Sequence, residues 1–177
     1  MSNLATWVLD PTHSEAQFKV KHLVISTVTG TFKSFEGSFE SDSEDFEGAA
    51  ISFSLDTNSI DTNQEQRDGH LKSGDFFDVE NYPKITFKST SFTKKKGDDY
   101  TLVGDLTIKD VTKSVELEVE LGGIAVDPYG NTKAGFEVSG KINRKDFGLT
   151  WSAITEAGAV VVGEDIKLQF NVQFVKQ

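Results

Sequence analysis

The amino-acid sequence predicts an all-β protein, a closed antiparallel barrel of about eight strands with one short helical insert at about residues 62–80. The first observation is an alternation of apolar and polar residues along nearly the whole chain, which is typical of strands with one buried face. The second is that the connections are short and rich in turn residues, which favours antiparallel neighbours. The third is that the sequence offers no long amphipathic helix to cover a flat sheet. Closure into a barrel would bury the apolar face and remove the sheet edges.

The strands are predicted in chain order from their rows of apolar residues. The first long strand places Ala16, Phe18, Val20 and His22 on one face. A change of parity near Lys33-Ser34 predicts a bulge or bend between the next two rows. The other rows are Val28 to Phe32; Phe35 to Phe39; Ile51 to Leu55; Ile85 to Ser89; Tyr100 to Ile108; Val115 to Leu121; Ala134 to Ile142; and Ile166 to Phe174.

The insert between Thr62 and Tyr82 breaks the alternation. Thr62 and Glu65 have the spacing of a capping box, which predicts the start of a helix, and Gly74 is expected to end it. Asp75-Phe76-Phe77 is expected to form a second turn before Tyr82-Pro83 returns the chain to an extended path. Because aromatic and charged residues meet here, we expect the insert to plug or rim an apolar interior.

Composition and charge exclude several classes of function. The 177 residues, without a proline-rich or Ser/Gly-rich linker, are expected to form one domain over residues 1–177. The formal net charge of -10 argues against nucleic acid and anionic membranes as partners. The chain has no cysteine, which excludes disulfides and thiolate chemistry. The sequence as given has no transmembrane run or secretory signal. We therefore expect a cytoplasmic protein without stable membrane insertion, or a periplasmic one if a start methionine replaced a signal peptide.

The inward faces admit two interpretations, a packed core or a tunnel. Periodicity alone does not choose between them. Small residues at inward positions leave room, and the strand from Glu164 to Phe174 would span roughly 35 Å at ~3.3 Å per residue. These two details favour a long apolar tunnel whose guest is an elongated hydrocarbon. The small inward residues are Ala16, Gly30, Gly37, Ser89, Gly104 and Gly140.

Two strongly polar residues lie on the predicted inward faces. His22 is in register with Phe18, and Arg144 is in register with Ile142. Because an unpaired buried guanidinium is costly, Arg144 is expected to pair with a carboxylate or to face a ligand head group at the barrel mouth. The candidate carboxylates are those of Asp68, Asp75 and Asp146.

The insert supplies two further candidates for contact with a head group. Arg67 is followed by Asp68, and the planar guanidinium suits bidentate pairing with a carboxylate, which favours a structural ion pair. His70 is expected to be exposed on the short helix, where it can contact a ligand.

Catalytic and metal-binding interpretations find little support. Asp10, His13 and Ser14 include the residue types of a hydrolytic triad, but the chain has no Gly-x-Ser-x-Gly elbow. His13 is expected instead to fix the turn before the first long strand. His13, His22 and His70 lack the spacing of a metal-binding motif. We therefore expect no catalytic residue, no metal and no cofactor other than a bound lipid.

A set of short motifs, in order along nearly the whole chain, resembles the YceI-like family. Each motif alone is weak, but their order and spacing together are specific. The motifs are Asp10-Pro11-x-His13-Ser14, Phe18-x-Val20-Lys21-His22-Leu23, Gly30-x-Phe32, Ser59-Ile60-Asp61-Thr62, Arg67-Asp68-x-His70-Leu71, Asp75-Phe76-Phe77, Tyr82-Pro83-x-Ile85-x-Phe87, Gly104-Asp105-Leu106-Thr107-Ile108 and Asn143-Arg144-x-Asp146-Phe147-Gly148.

The resemblance implies an extended, lipocalin-like antiparallel barrel that binds a polyisoprenoid or another long amphiphilic lipid in a central tunnel, often as a homodimer. The leading hypothesis is a non-enzymatic carrier or reservoir for such a lipid or an isoprenoid quinone. The head group would lie near His22, Arg67, His70 or Arg144. The apolar tail would lie along Phe18, Val20, Phe32, Phe53, Phe87, Leu106, Phe136 and Phe170.

Two alternatives stay open. In the first, an enzyme acts on a lipid inside the tunnel with His22 or His70 as general base. In the second, the barrel is solidly packed and serves as a structural or stress-response module.

Overall fold

The computed structural model describes residues 4–23, 25–43, 45–151 and 162–177. Over these residues the chain forms eleven strands, one α-helix and three short 3-10 turns. The strands are β1 Ala5–Leu9, β2 Glu15–His22, β3 Ser26–Phe32, β4 Phe35–Ser41, β5 Ala50–Asp56, β6 Ile60–Asp61, β7 Lys84–Lys94, β8 Asp99–Ile108, β9 Val111–Val126, β10 Thr132–Asn143 and β11 Val162–Lys176; the helix α1 is Glu65–Lys72; and the 3-10 turns are Pro11–His13, Thr57–Ser59 and Arg144–Phe147.

The strands close into an eight-stranded antiparallel barrel, as predicted. β1 pairs with β4 on one side and with β11 on the other. From β4 the pairing runs through β5, β7, β8, β9 and β10 to β11, which completes the ring. β2 continues alongside β11, β3 pairs with β2, and β6 pairs with β3. No edge therefore remains open where β1 joins β4 and β11.

A short turn separates the first two strands, which run along the same neighbour. The 3-10 turn Pro11–His13 separates β1 from β2, although both strands pair with β11. A second break falls between Phe32 and Phe35, where β3 ends and β4 begins. This break confirms the bend predicted near Lys33-Ser34. Because of these bends, β1 pairs with β4 and β11, whereas β2 pairs with β11 and β3.

Tight turns join the later strands, as their sequences predict. Lys109 and Asp110 connect β8 to β9, and Lys109 adopts a φ of 57°. The Asp127 carboxylate accepts hydrogen bonds from the backbone amides of Tyr129 at 2.8 Å and Asn131 at 2.9 Å. These local bonds stabilise the turn between β9 and β10.

The helix of the insert begins later than predicted. α1 starts at Glu65 after Gln64, which makes no side-chain capping bond. The predicted capping box is wrong, because the Thr62 hydroxyl donates to the Asp68 carboxylate at 2.5 Å instead. α1 ends at Lys72, before the stop predicted at Gly74. Within the described residues, no helix combines the length and the apolar character needed to cross a membrane.

Candidate functional site

The barrel encloses an apolar cavity of about 140 Å³. Its accessible wall is apolar throughout and consists mainly of aromatic and aliphatic side chains from the strands. An apolar cavity of about 150 Å³ in another protein stays dry and accepts benzene. The cavity in this barrel is therefore large enough for a short hydrocarbon segment.

Seven of the eight predicted tunnel residues border this cavity. The exception is Val20, which is not among the described residues that border the cavity. It pairs with Val28 and Ile166 near the end of β2, past the level of Phe18. Contact of these side chains with a ligand stays a prediction. The residues that border the cavity are Phe18, Phe32, Phe53, Phe87, Leu106, Phe136 and Phe170.

One end of the barrel is filled by a cluster of five rings, which we call the aromatic cluster: Trp7, Phe39, Phe46, Phe136 and Phe174. Phe39 contacts all four other rings, with centroid separations from 4.9 Å to Phe174 to 5.9 Å to Phe136. All five side chains are buried. Phe46 was missed by sequence reasoning because it lies in the loop between β4 and β5 with a φ of 66°, outside any alternating row.

The opposite end carries the insert, residues 62–83, which we call the cap. Leu71 and Phe77 of the cap pack against the barrel core, and the Phe77 ring meets Phe32 edge-on at 5.9 Å. These contacts support the predicted plug over the interior. The far stem of the cap is fixed by Thr57, whose hydroxyl donates to the Tyr82 carbonyl at 2.9 Å.

The near stem of the cap is organised around the buried Thr62. Arg67 Nε donates to Thr62 Oγ1 at 2.7 Å, and Arg67 Nη2 donates to the Thr62 carbonyl at 2.5 Å. The Asp68 carboxylate accepts from both the hydroxyl and the backbone amide of Thr62. The predicted direct pairing of Arg67 with Asp68 is therefore wrong, because both side chains bind Thr62 instead.

His70 lies on α1 between a carboxylate and two rings. Its Nε2 is 2.9 Å from Asp75 Oδ2, and its ring meets Phe76 at 5.1 Å and Trp151 at 4.7 Å, both edge-on. These contacts join the cap to the segment that follows β10. His22 lies at the end of β2, half-buried, opposite Ser26 of β3.

Arg144 is buried, with 2 % of its surface exposed, and binds backbone rather than a carboxylate. Its Nη1 donates to the carbonyls of Leu149 at 2.5 Å and Trp151 at 2.7 Å. Its Nε donates to Gly163 at 2.8 Å, and its Nη2 donates to Val162 at 3.3 Å. The predicted pairing with Asp68, Asp75 or Asp146 is wrong, because carbonyl oxygens satisfy the guanidinium.

The environment of Arg144 has two electrostatic effects. Burial lowers the pKa of the guanidinium, and the Glu164 carboxylate opposes that shift. Guanidinium groups nevertheless remain charged in proteins. Arg144 therefore links two parts of the chain, Leu149 and Trp151 on one side and Val162 and Gly163 on the other.

The four predicted head-group residues lie around the cap end and not on the cavity wall. Among the described residues that border the cavity, His22, Arg67, His70 and Arg144 are absent. Arg67 and Arg144 bind neighbouring chain through several hydrogen bonds, whereas His70 binds the side chain of Asp75. A role of these residues in ligand binding stays a prediction.

The inward glycines do not leave empty space beside them. The places that a Cβ atom would occupy on Gly30, Gly104 and Gly140 are filled by side chains of neighbouring strands. The cavity therefore lies in the middle of the barrel rather than in pockets beside the glycines.

His13 fixes the first turn, as predicted. Its Nδ1 is 2.8 Å from Asp10 Oδ2, and Lys133 Nζ reaches the same oxygen at 3.3 Å. Ser14 donates to the Asp10 carbonyl at 2.7 Å, so it is part of the turn. In the part of the chain that the structure describes, no three His, Asp or Glu side chains are grouped as metal ligands.

Comparison with known proteins gives consistent matches over the whole barrel. The model of the YceI-like domain family matches residues 7–174. A protein named YceI from Salmonella newport is 41% identical over 165 residues, which cover 93% of this chain and 83% of that protein. A Campylobacter jejuni YCEI protein of known structure is 32% identical, with a TM-score of 0.75 over 89% of this chain and 90% of that one.

A more distant structure shares the fold. It is described as a polyisoprenoid binding domain from Saccharophagus degradans implicated in plant cell wall breakdown. Its identity with this chain is 16%, with a TM-score of 0.72 and full coverage of both chains.

Proposed function

This chain belongs to the YceI-like domain family, and from that membership and the geometry of the barrel we propose that the protein binds a long-chain amphiphilic lipid without chemically altering it. The ligand class is a polyisoprenoid or an isoprenoid quinone, held with its hydrocarbon tail in the barrel. The polyisoprenoid binding domain from Saccharophagus degradans, which has the same fold, supports this choice of ligand class. Storage or transport of the lipid, and assembly as a homodimer, are further parts of the proposal.

The apolar cavity inside the barrel is the observation that carries this proposal. Its wall consists of rings and aliphatic chains from the strands, which suits a hydrocarbon and rejects a charged group. Burying about 500 Å² of apolar ligand surface at ~25 cal/mol/Å² would supply about 12 kcal/mol before ordering costs. A fraction of that free energy is enough for micromolar affinity, about -8 kcal/mol.

The cavity is small for a long chain, so binding requires side chains to move. A space of about 140 Å³ holds only a short segment of such a lipid. The cap end is the place for the additional length, because Leu71 and Phe77 belong to a segment outside the barrel strands. The head group would then lie at this end, near His22, Arg67, His70 or Arg144.

A packed structural module is the second candidate, and the small cavity is the observation that favours it. Such a barrel would take up neither a lipid nor a hydrophobic dye. The enzyme hypothesis, with His22 or His70 as general base, gains no comparable observation, because neither histidine borders the cavity.

The first test is native mass spectrometry of protein purified from its own organism, followed by organic extraction of the released molecule. We expect a stoichiometric long-chain lipid. A barrel that is empty, and that also rejects added isoprenoid quinones and fatty acids, would overturn the proposal and leave the packed module.

A further inference from the structure

Three large side chains on the cavity wall lie with their tips against glycines of neighbouring strands. Phe18 of β2 lies over Gly30 of β3, Phe87 of β7 lies over Gly104 of β8, and Leu117 of β9 lies over Gly140 of β10. We call Phe18, Phe87 and Leu117 the recessed side chains. All three border the cavity.

The contacts leave no room for a Cβ atom at the glycine positions unless the neighbouring side chain moves. A Cβ atom on Gly30 would lie 2.2 Å from Cζ of Phe18, and one on Gly140 would lie 2.3 Å from Cδ2 of Leu117. At Gly104 it would lie 2.4 Å from Cζ of Phe87 and 2.6 Å from the Lys88 carbonyl oxygen. Since carbon atoms in contact are about 3.5–4.0 Å apart, each large side chain would have to move.

The direction of that movement follows from the barrel. Phe18 and Gly30 are directly paired across β2 and β3, so their side-chain positions are on the same face of the sheet. Side chains in strands ordinarily stand away from the sheet, whereas the Phe18 ring leans over its glycine partner along the wall. An added methyl group on Gly30 would lift this ring off the wall and toward the cavity.

We propose that these three glycine contacts set the width of the cavity and thereby its preference for methyl-branched over straight hydrocarbon chains. This inference rests on the proposed function. Each recessed side chain leaves the middle of the barrel open, and three such contacts on separate strand pairs widen it from different sides. A bore widened in this way has room for methyl branches, whereas a straight polymethylene chain makes fewer contacts with its wall.

Gly30→Ala and Gly140→Ala test this inference, since the atoms that they would displace are the flexible ends of side chains. Gly135→Ala is the matched control, because Gly135 is also in β10 and a Cβ atom there would have no neighbour within 4 Å. The probes are geranylgeraniol and the straight-chain alcohol with the same number of carbons. Their dissociation constants are measured by native mass spectrometry, with thermal unfolding as the check on folding.

We expect the wild-type protein and Gly135→Ala to prefer geranylgeraniol. Gly30→Ala and Gly140→Ala should weaken its binding about tenfold, the effect of one methylene group on discrimination in an apolar pocket. The straight-chain alcohol should be affected less, so the ratio of the two affinities falls. Adding Phe18→Leu to Gly30→Ala should restore the ratio, which a general loss of stability would not do.

Two results would overturn the inference in distinguishable ways. If the wild-type protein binds both alcohols and folded Gly30→Ala and Gly140→Ala keep the wild-type ratio, the glycine contacts do not set the width. If the wild-type protein binds neither alcohol, the proposed function fails and this inference fails with it. If one alanine variant does not fold, the other decides, because the two glycines lie on different strand pairs.

Discussion

The two ends of this barrel are closed in different ways. The aromatic cluster closes one end with rings from β1, β4, β10 and β11, together with Phe46 from a loop. The cap closes the other end with an insert that belongs to no barrel strand. Its stems are held by hydrogen bonds around Thr62 and Thr57.

The two kinds of closure differ in how easily each end of the barrel can open. Rings that interdigitate from four paired strands can separate only if the sheet deforms, because packed interiors have few voids. A short helix and its turns, held by a few side-chain hydrogen bonds, can open locally at lower cost. The comparison therefore assigns rigidity to the aromatic cluster and local opening to the cap, and the following predictions test that assignment.

The largest effect is expected from Phe39→Ala in the aromatic cluster. Phe39 is 4% exposed and contacts four rings, so its removal leaves a cavity and should lower the free energy of unfolding by about 4 kcal/mol. Denaturant unfolding measures the loss. Val8→Ala, on the exposed face of the neighbouring β1, is the control and should cost below about 1 kcal/mol. Similar losses for the two variants would contradict the rigid end.

Arg144→Met should have the next largest effect, at the cap end. It removes four hydrogen bonds from a charged donor to buried or part-buried backbone carbonyls, which should lower the free energy of unfolding by about 3 kcal/mol. Lys145→Met is the control, because the Lys145 side chain makes a surface ion pair with Glu164 at 2.9 Å, which contributes about 0–1 kcal/mol. Near-equal losses in thermal or denaturant unfolding would mean that Arg144 does not hold this part of the chain.

The two ends also differ in what could be predicted from sequence. Alternation has a period of two, so it assigns residues such as Phe39 and Phe136 to the inner face without knowledge of the fold. The same period predicted most of the cavity wall, including Phe53 and Phe170. It could not locate Phe46, because a loop residue has no periodic neighbours.

The errors fall at the cap end for a related reason. Arg144 and Arg67 were expected to bind carboxylates, since charge can be read directly from sequence. Arg144 binds backbone carbonyls instead, and Arg67 binds the hydroxyl and the carbonyl of Thr62. Every residue of a chain carries a carbonyl acceptor. Sequence therefore indicated that Arg144 needs partners, but the identity of the partners depends on how the chain folds back after β10.

Thr62→Val should loosen the cap with a smaller loss of overall stability. The change keeps the shape of the side chain but removes the hydroxyl that accepts from Arg67 and donates to Asp68. It should lower the free energy of unfolding by about 1–2 kcal/mol. Hydrogen exchange should increase in residues 62–83 and stay unchanged in β10 and β11. Thr93→Val, on the exposed end of β7, is the control. Faster exchange throughout the barrel would show that the cap does not open separately.

The smallest expected effect is a pH dependence on the outer surface beside the aromatic cluster. Asp10 follows β1 and accepts hydrogen bonds from Thr12 Oγ1 at 2.6 Å and from Lys133 of β10 at 3.3 Å, with His13 alongside. The Thr12 hydroxyl is the main cause of the lowered pKa of Asp10, followed by His13 and Lys133. A carboxylate whose pKa is lower in the folded protein stabilises the fold above its unfolded pKa, about 3.9, and this stabilisation is lost as the pH falls through the folded value.

Asp10→Asn isolates this contribution. At pH 7 the variant should be less stable than the wild-type protein by about 1 kcal/mol. The difference should shrink below about pH 4, because there Asp10 becomes protonated in the unfolded chain while it stays ionised in the folded protein. Urea unfolding at a series of pH values measures it. Asp110→Asn, in the exposed turn after β8, should show no such difference at either pH. A difference for Asp10→Asn that is constant from pH 7 to pH 3 would mean that the lost contribution does not depend on the charge of Asp10. The junction of β1 and β2 would then be held by uncharged contacts, as the aromatic cluster is.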